Sequence, residues 1–347
     1  MRAVVVVTGL VVVVVTTTLS LQDHDVKSAS SPLSSSVDQG SSGDDCDEGL
    51  PPPDQPFRVV WNHPDNCEKI NLHLPLDEYG IIFNKRRVFL GEEIQTLYDT
   101  GPWPYINKTG CFINGGLPQL FNQPDNSETC KILGKNRIED FTGLGVLDFE
   151  TWRAIYSTNF GTMENYQIES VNLVRKRHPD YSEKELKMVA EQEWQEAARK
   201  IMTDKLAAGQ SLMPRGYWGY YLYPRTWDSK PDTKFRNNKI DWLWRQSTGL
   251  YPSIYIYYDV VSKTDSVITK FVSDTVGEAV RVQNDFSPPN TPIYPYVMFQ
   301  TMDNVFHKED HMKISLGLSA KMGAAGVILW GSSQNYKDFT TQCSRLQ

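Results

Sequence analysis

The chain has 347 residues, 40% hydrophobic and 12% aromatic, enough for a sizeable core in one large domain or two small ones. Its net charge of −7 is concentrated in one segment: seven acids and one lysine between Asp23 and Glu48 account for −6, and with Arg2 set aside the chain from residue 49 carries −2. The acidic total therefore does not exclude a polyanionic substrate for the body, and nothing in the charge balance calls for nucleic acid.

In chain order, Arg2 precedes an apolar run from Ala3 to Val15, followed by small residues through Ser20. The run is short for a bilayer span and reads as a signal peptide over residues 1–20; an uncleaved anchor is the alternative, without a polar stop-transfer pattern to support it. Residues 21–56 are rich in Ser, Asp, Gly and Pro and read as a disordered pro-segment or tail. The body is residues 57–347. With no other long apolar run, the expectation is a secreted protein with no stable membrane insertion. Of five cysteines, Cys46 falls in the tail, and Cys67, Cys111, Cys130 and Cys343 allow three pairings in an oxidising compartment. Asn107-Lys108-Thr109 is a glycosylation sequon.

Strands are expected over Phe57–Trp61, Gln95–Asp99, Gly145–Glu150, Tyr217–Tyr223, Ser253–Tyr258, Ile293–Phe299 and Gly326–Trp330, each short and rich in Val, Ile, Tyr or Trp. Several are nearly continuous apolar runs, as in parallel strands covered on both faces. A helix is expected from about Glu183 to Ala208, with Ser182 and Glu185 as a capping box and Gly209 as its stop. Another spans about Asp265 to Asn284. Seven strands alternating with helices imply an α/β fold closed into a barrel; a doubly wound open sheet is the alternative, but no glycine-rich phosphate loop follows the first strand.

The run Gly143-Leu-Gly-Val-Leu-Asp148-Phe-Glu150-Thr-Trp152-Arg153 carries the chemistry. Residues two apart on a strand share a face, so Asp148 and Glu150 project together while Leu147 and Phe149 turn to the helices. Carboxylates roughly 6–7 Å apart along a strand can divide glycoside hydrolysis, one protonated and one charged. An ordinary solvated pair, or one bridged to Arg153, would have the same spacing. The aromatic strand ends, Trp218 to Tyr223, Pro252 to Tyr258 and Trp330 before Ser332 and Ser333, suit sugars, although alternate rings must face the helices.

Together with Val60-Trp61-Asn62, Phe89 to Ile94, Leu97-Tyr98-Asp99, Gly115 to Gln119, Tyr251 to Tyr255 and Leu329 to Ser333, these runs resemble, in order, the hyaluronidase family of glycoside hydrolases. The resemblance covers about Phe57 to Gln347. It implies a distorted TIM-like (β/α) barrel of about seven strands, a single catalytic domain crossed by a groove for a glycosaminoglycan. It also implies endo-hydrolysis of hyaluronan, with chondroitin as a second polymer, without cofactor or metal. The substrate's own acetamido oxygen would be the nucleophile. By the same resemblance Glu150 is the proton donor and Asp148 orients the acetamido group, while Tyr221 and Tyr255 hold the reacting sugar. Trp330 walls the acetamido pocket, and Tyr98, Asp99, Arg153, Ser332 and Ser333 line or support the groove. It further implies a Cys67–Cys343 disulfide and, with it, Cys111–Cys130. Two departures stand out: Arg225 to Lys239 contains no cysteine, where the family often has a disulfide, and Thr275 stands near the place of a common arginine. A glycosaminoglycan-binding protein that keeps the groove without turnover is the competing class.

Overall fold

The computed structural model describes residues 2–8, 11–17, 56–63, 67, 73–122, 127–226, 232–256, 264–301 and 305–331. The N-terminal apolar run forms two strands, β1 (Arg2–Thr8) and β2 (Val11–Thr17), paired antiparallel. The body opens with β3 (Arg58–Trp61), β4 (Ile82–Phe83) and β5 (Ile94–Leu97). A small antiparallel hairpin, β6 (Tyr105–Ile106) and β7 (Phe112–Ile113), precedes α1 (Ser127–Lys135) and β8 (Leu144–Leu147). Two helices follow, α2 (Glu164–Arg177) and α3 (Glu183–Leu212), then β9 (Tyr217–Tyr220). The remainder is α4 (Thr233–Asn238), α5 (Asp241–Gln246), α6 (Asp265–Phe286), β10 (Tyr296–Met298), α7 (Glu309–Lys321) and β11 (Gly326–Trp330).

Apart from the β6–β7 hairpin, the body strands are parallel. One sheet runs β10-β11-β3-β4 and another β5-β8-β9. The 250–253 segment links them, Tyr221 bridging Tyr251, Leu250 bridging Ile293 and Ser253 bridging Tyr296. On the far side β3 meets β5 through side chains, Asn62 Nδ2 donating to Thr96 Oγ1. With the two-residue β4 beside β3, eight parallel segments thus run round a distorted barrel. Its interior is a cluster with a residue from each segment but β4: Val60, Ile94, Val146, Tyr217, Tyr251, Tyr296 and Ile328 among them. The alternate residues pack outward into two further clusters, Leu97, Leu147 and Trp218 in one, Val59, Trp61, Val297 and Leu329 in the other. The period-2 alternation of each strand therefore serves two cores at once.

The capping box of α3 is present: Ser182 Oγ accepts from Glu185 N, and Ser182 N donates to Glu185 Oε2 at 2.7 Å. Gly209 does not end that helix, which continues to Leu212. Its role is packing. Gly209 and Gly145 both lie against the buried Trp218 ring, where a Cβ would come within 2.8 and 2.5 Å of the indole respectively. The Trp218 N–H is satisfied by Met213 O at 2.9 Å. The expected Ser253–Tyr258 strand is reduced to the bridges around 250–253, and Tyr257 and Tyr258 lie outside the described residues. Helices α1, α2 and α7 were not legible as elements; α2 has a weakly segregated apolar face, with Tyr166, Ser170, Val171 and Val174 buried.

Candidate active site

Because the strands are parallel, their C-terminal ends meet at one mouth of the barrel, and each inward position continues two residues on into that mouth. Val146 is followed by Asp148, Thr96 by Tyr98, Ile328 by Trp330 and Val60 by Asn62. Register aligns them. Leu97 and Tyr220 flank Leu147 on either side, Asp148 N donates to Leu97 O and Tyr221 N to Leu147 O, both at 3.0 Å. Tyr98, Asp148 and Tyr221 are consequently neighbours across three strand ends.

The aromatic residues form one wall. Trp330 stacks on Tyr255 with ring centroids 5.5 Å apart and 21° between planes, and its Nε1 donates to the Tyr98 hydroxyl at 3.0 Å. Tyr255 lies 5.9 Å from Tyr221, whose hydroxyl donates to Ser253 Oγ at 3.4 Å. Tyr98 is 49% exposed, whereas Tyr221 and Tyr255 are buried. The wall thus runs from the solvent edge into the barrel. Burial raises the hydroxyl pKa of Tyr98 and Tyr255, so both are neutral donors at any working pH.

The carboxyls differ in setting. Asp148 is half-buried; loss of water, then the nearby charge of Glu150, raises it to about 7. Glu150 lies further out and is exposed, yet reduced hydration raises it as well, opposed by the Arg225 and Arg153 guanidiniums. Between the two, a proton is retained through the mildly acidic range. Phe149, between them in sequence, turns away and stacks on Trp103 at 3.8 Å and 9°. The expected opposite orientation of Phe149 therefore holds.

The other expected positions have distinct surroundings. Asp99 is exposed and accepts from Gly101 N at 3.0 Å. Arg153 supports rather than lines: its Nη1 donates to Thr158 O and its guanidinium lies 5.0 Å from the Phe160 ring, while its charge still acts on Glu150. Ser332, Ser333 and Cys343 lie outside the described residues. Cys67 is buried and disulfide-bonded, its partner lying outside the described residues. The expected Cys111–Cys130 bond is not formed; both are free thiols. Their surroundings separate them: Cys111 is exposed at the β6–β7 hairpin, its Sγ facing the Thr109 hydroxyl, whereas Cys130 sits on α1 against the outer core.

Sequence reasoning missed two groups. Behind Asp148 lies a buried polar cluster in which Tyr296 OH meets Thr96 Oγ1 at 3.1 Å and Asn62 Nδ2 at 3.4 Å. Inward alternation along β10, with a hydroxyl needing a partner, would have marked Tyr296. Arg225 acts on Glu150 from the loop after β9, and no local pattern points to it.

An aromatic wall at the same barrel mouth as two carboxyls of raised pKa is compatible with glycoside hydrolysis. The hyaluronidase family model matches residues 50–347. The chain belongs to the hyaluronidase family. It is 78% identical to the hyaluronidase conohyal-Cn1 of Conus consors, over 100% of this chain and 78% of that protein. It is 35% identical to human hyaluronidase-1, over 82% of this chain and 69% of that one. Bee venom hyaluronidase, solved in complex with a hyaluronic acid tetramer, superposes with a TM-score of 0.77 at 28% identity, covering 83% of this chain and 94% of that one. A TIM-like barrel and glycoside hydrolase activity follow from this membership. Among the described residues, no helix is long and apolar enough to cross a membrane.

Proposed function

We propose that this hyaluronidase-family chain cleaves hyaluronan internally at β-1,4 bonds beside N-acetylhexosamine, by a substrate-assisted retaining reaction. The observation that carries this reading is the placement of Asp148 and Glu150 at the same barrel mouth as the Tyr98–Trp330–Tyr255–Tyr221 wall. Glu150, the outer carboxyl, gives its proton to the glycosidic oxygen as the bond to the anomeric carbon breaks. The substrate's acetamido oxygen forms the new bond to that carbon, and Asp148 accepts from the acetamido N–H and balances the positive ring. Glu150, now a carboxylate, takes a proton from water, whose oxygen bonds to the anomeric carbon from the face the leaving group occupied as the bond from that carbon to the acetamido oxygen breaks. Two displacements retain configuration. Tyr221 and Tyr255 hold the acetamido group and reacting sugar, Trp330 closes the pocket, and Tyr98 and Asp99 extend the groove.

Secretion after removal of residues 1–20 and glycosylation at Asn107 belong to the same reading. The Cys67 disulfide supports an oxidising compartment. The sequon lies in an exposed turn, where Asn107 Oδ1 accepts from Thr109 N, Thr109 Oγ1 and Cys111 N.

The test is incubation of the purified chain with hyaluronan and, separately, chondroitin. Falling polymer size with new N-acetylhexosamine reducing ends is expected, faster on hyaluronan. Unsaturated, ultraviolet-absorbing products would mean elimination and overturn the mechanism, and polymer binding without cleavage would overturn the activity.

A further inference from the structure

Lys205 is 1% exposed on the inner face of α3; among the described residues no carboxylate forms a salt bridge with it, although the charges of Asp99, Glu128 and Asp204 act on it from further off. Its ammonium donates to Thr100 O and to Thr129 Oγ1, both at 2.8 Å, and lies 4.9 Å from the Trp103 ring centroid. Two oxygens and an aromatic face therefore replace its water shell. Withdrawing an ammonium from water is costly, and an aliphatic side chain would fill the same space at no such cost. What the charge holds in place is the informative point.

Thr100 ends the segment that continues β5 into the barrel mouth through Tyr98 and Asp99. That segment is closely packed: Trp103 Nε1 donates to Thr100 Oγ1 at 2.8 Å, Asp99 Oδ1 accepts from Gly101 N, and Gly101, at φ 87°, lies against the Thr129 backbone. Trp103 in turn stacks on Phe149, between Asp148 and Glu150 in the chain. One buried cation thus touches the Tyr98 segment directly and the carboxyl segment through one ring.

We propose that Lys205 is a positioning residue for the substrate groove, its ammonium fixing the Tyr98–Thr100 segment against α1 and, through Trp103, backing the carboxyl-bearing segment. The proposal rests on the reading that Tyr98 and Asp99 line the groove.

The test uses the full chain and steady-state kinetics on hyaluronan, with melting temperature measured in parallel. Lys205→Met keeps the aliphatic stem and is expected to raise KM about tenfold with a smaller change in kcat. Lys205→Arg, which restores a cation, recovers part of that loss. Because the KM effect of Lys205 is carried by the Tyr98–Thr100 segment, Tyr98→Ala with Lys205→Met should show a KM well below the product of the two single effects. A lowered melting temperature with KM within about twofold of the parent would make the residue structural only and overturn the proposal. So would multiplying KM effects in the double variant. If Lys205→Met does not accumulate, Thr129→Val removes one of the two bonds and leaves the charge; a KM rise of about threefold supports the proposal and an unchanged KM overturns it. Tyr98→Ala with normal KM would instead overturn the groove reading, and the proposal with it.

Discussion

Trp330 and Tyr98, 232 residues apart, join β11 to β5 across the barrel mouth by an indole N–H to phenol oxygen bond of 3.0 Å. The same indole stacks on Tyr255. Trp330→Phe would keep an apolar ring beside Tyr255 and lose the donor, while Tyr98→Phe would lose the acceptor. Each should raise KM on hyaluronan about threefold, and the double variant should be no worse than either single one, because both remove the same bond. Trp330→Ala removes the wall and should lower kcat/KM by about a hundredfold or more. Independent, multiplying effects of the two phenylalanine variants would argue against a shared bond.

Glu150→Gln keeps shape and hydrogen-bonding capacity but has no proton to give. Turnover should fall at least about a thousandfold while polymer affinity, measured by calorimetry or retention, stays within a few-fold. Substantial residual turnover would move the acid role elsewhere, and Asp148 is the neighbour that would inherit it.

Asp148 should also show in stability against pH. The folded state holds its proton more tightly than the unfolded chain does, with the value raised from 3.8 to about 7. Its contribution is therefore fully present below about 3.8 and is lost as pH rises through about 7. Asp148→Asn, which never ionises, should match the parent near pH 4 and melt several degrees higher at pH 8, where the charged carboxylate costs on the order of 2–4 kcal/mol. Activity should fall in the same variant, so that function and stability move in opposite directions. Equal melting temperatures at pH 8 would mean that the carboxylate is well solvated in the fold.

How much of this was legible follows from how local each signal is. The Asp148/Glu150 pair, its shared face and the opposite turn of Phe149 follow from strand alternation, and Gly326–Trp330 falls where its composition puts it. The capping box at Ser182 depends on residues three apart and was equally readable. Gly209 was misread because a helix-ending glycine and a glycine under a tryptophan look alike until Trp218 is seen against it. The Cys111–Cys130 bond failed for a related reason: pairing depends on which elements face each other, and the hairpin and α1 place the two thiols in different surroundings. Lys205 looked like any charged residue on a long helix. Its partners Thr100 and Thr129 are 105 and 76 residues away, beyond any periodicity argument.

Arg225 has the same long-range character and gives the pH dependence of the reaction a handle. Its charge, with that of Arg153, opposes the rise in the Glu150 pKa caused by reduced hydration. Its backbone is held by Asn237 Nδ2 donating to Arg225 O at 3.1 Å, so changing the side chain leaves that anchor in place. Arg225→Met removes one of the two opposing charges and lets the Glu150 pKa climb further. The acid form then persists to higher pH, and the alkaline limb of kcat/KM should shift upward by roughly half to one pH unit. Arg153→Met should move the limb in the same direction, but that residue also binds Thr158 O, so a loss of stability accompanies the shift. A limb that stays fixed or moves to lower pH in Arg225→Met would show that Glu150 is not the group whose deprotonation ends activity.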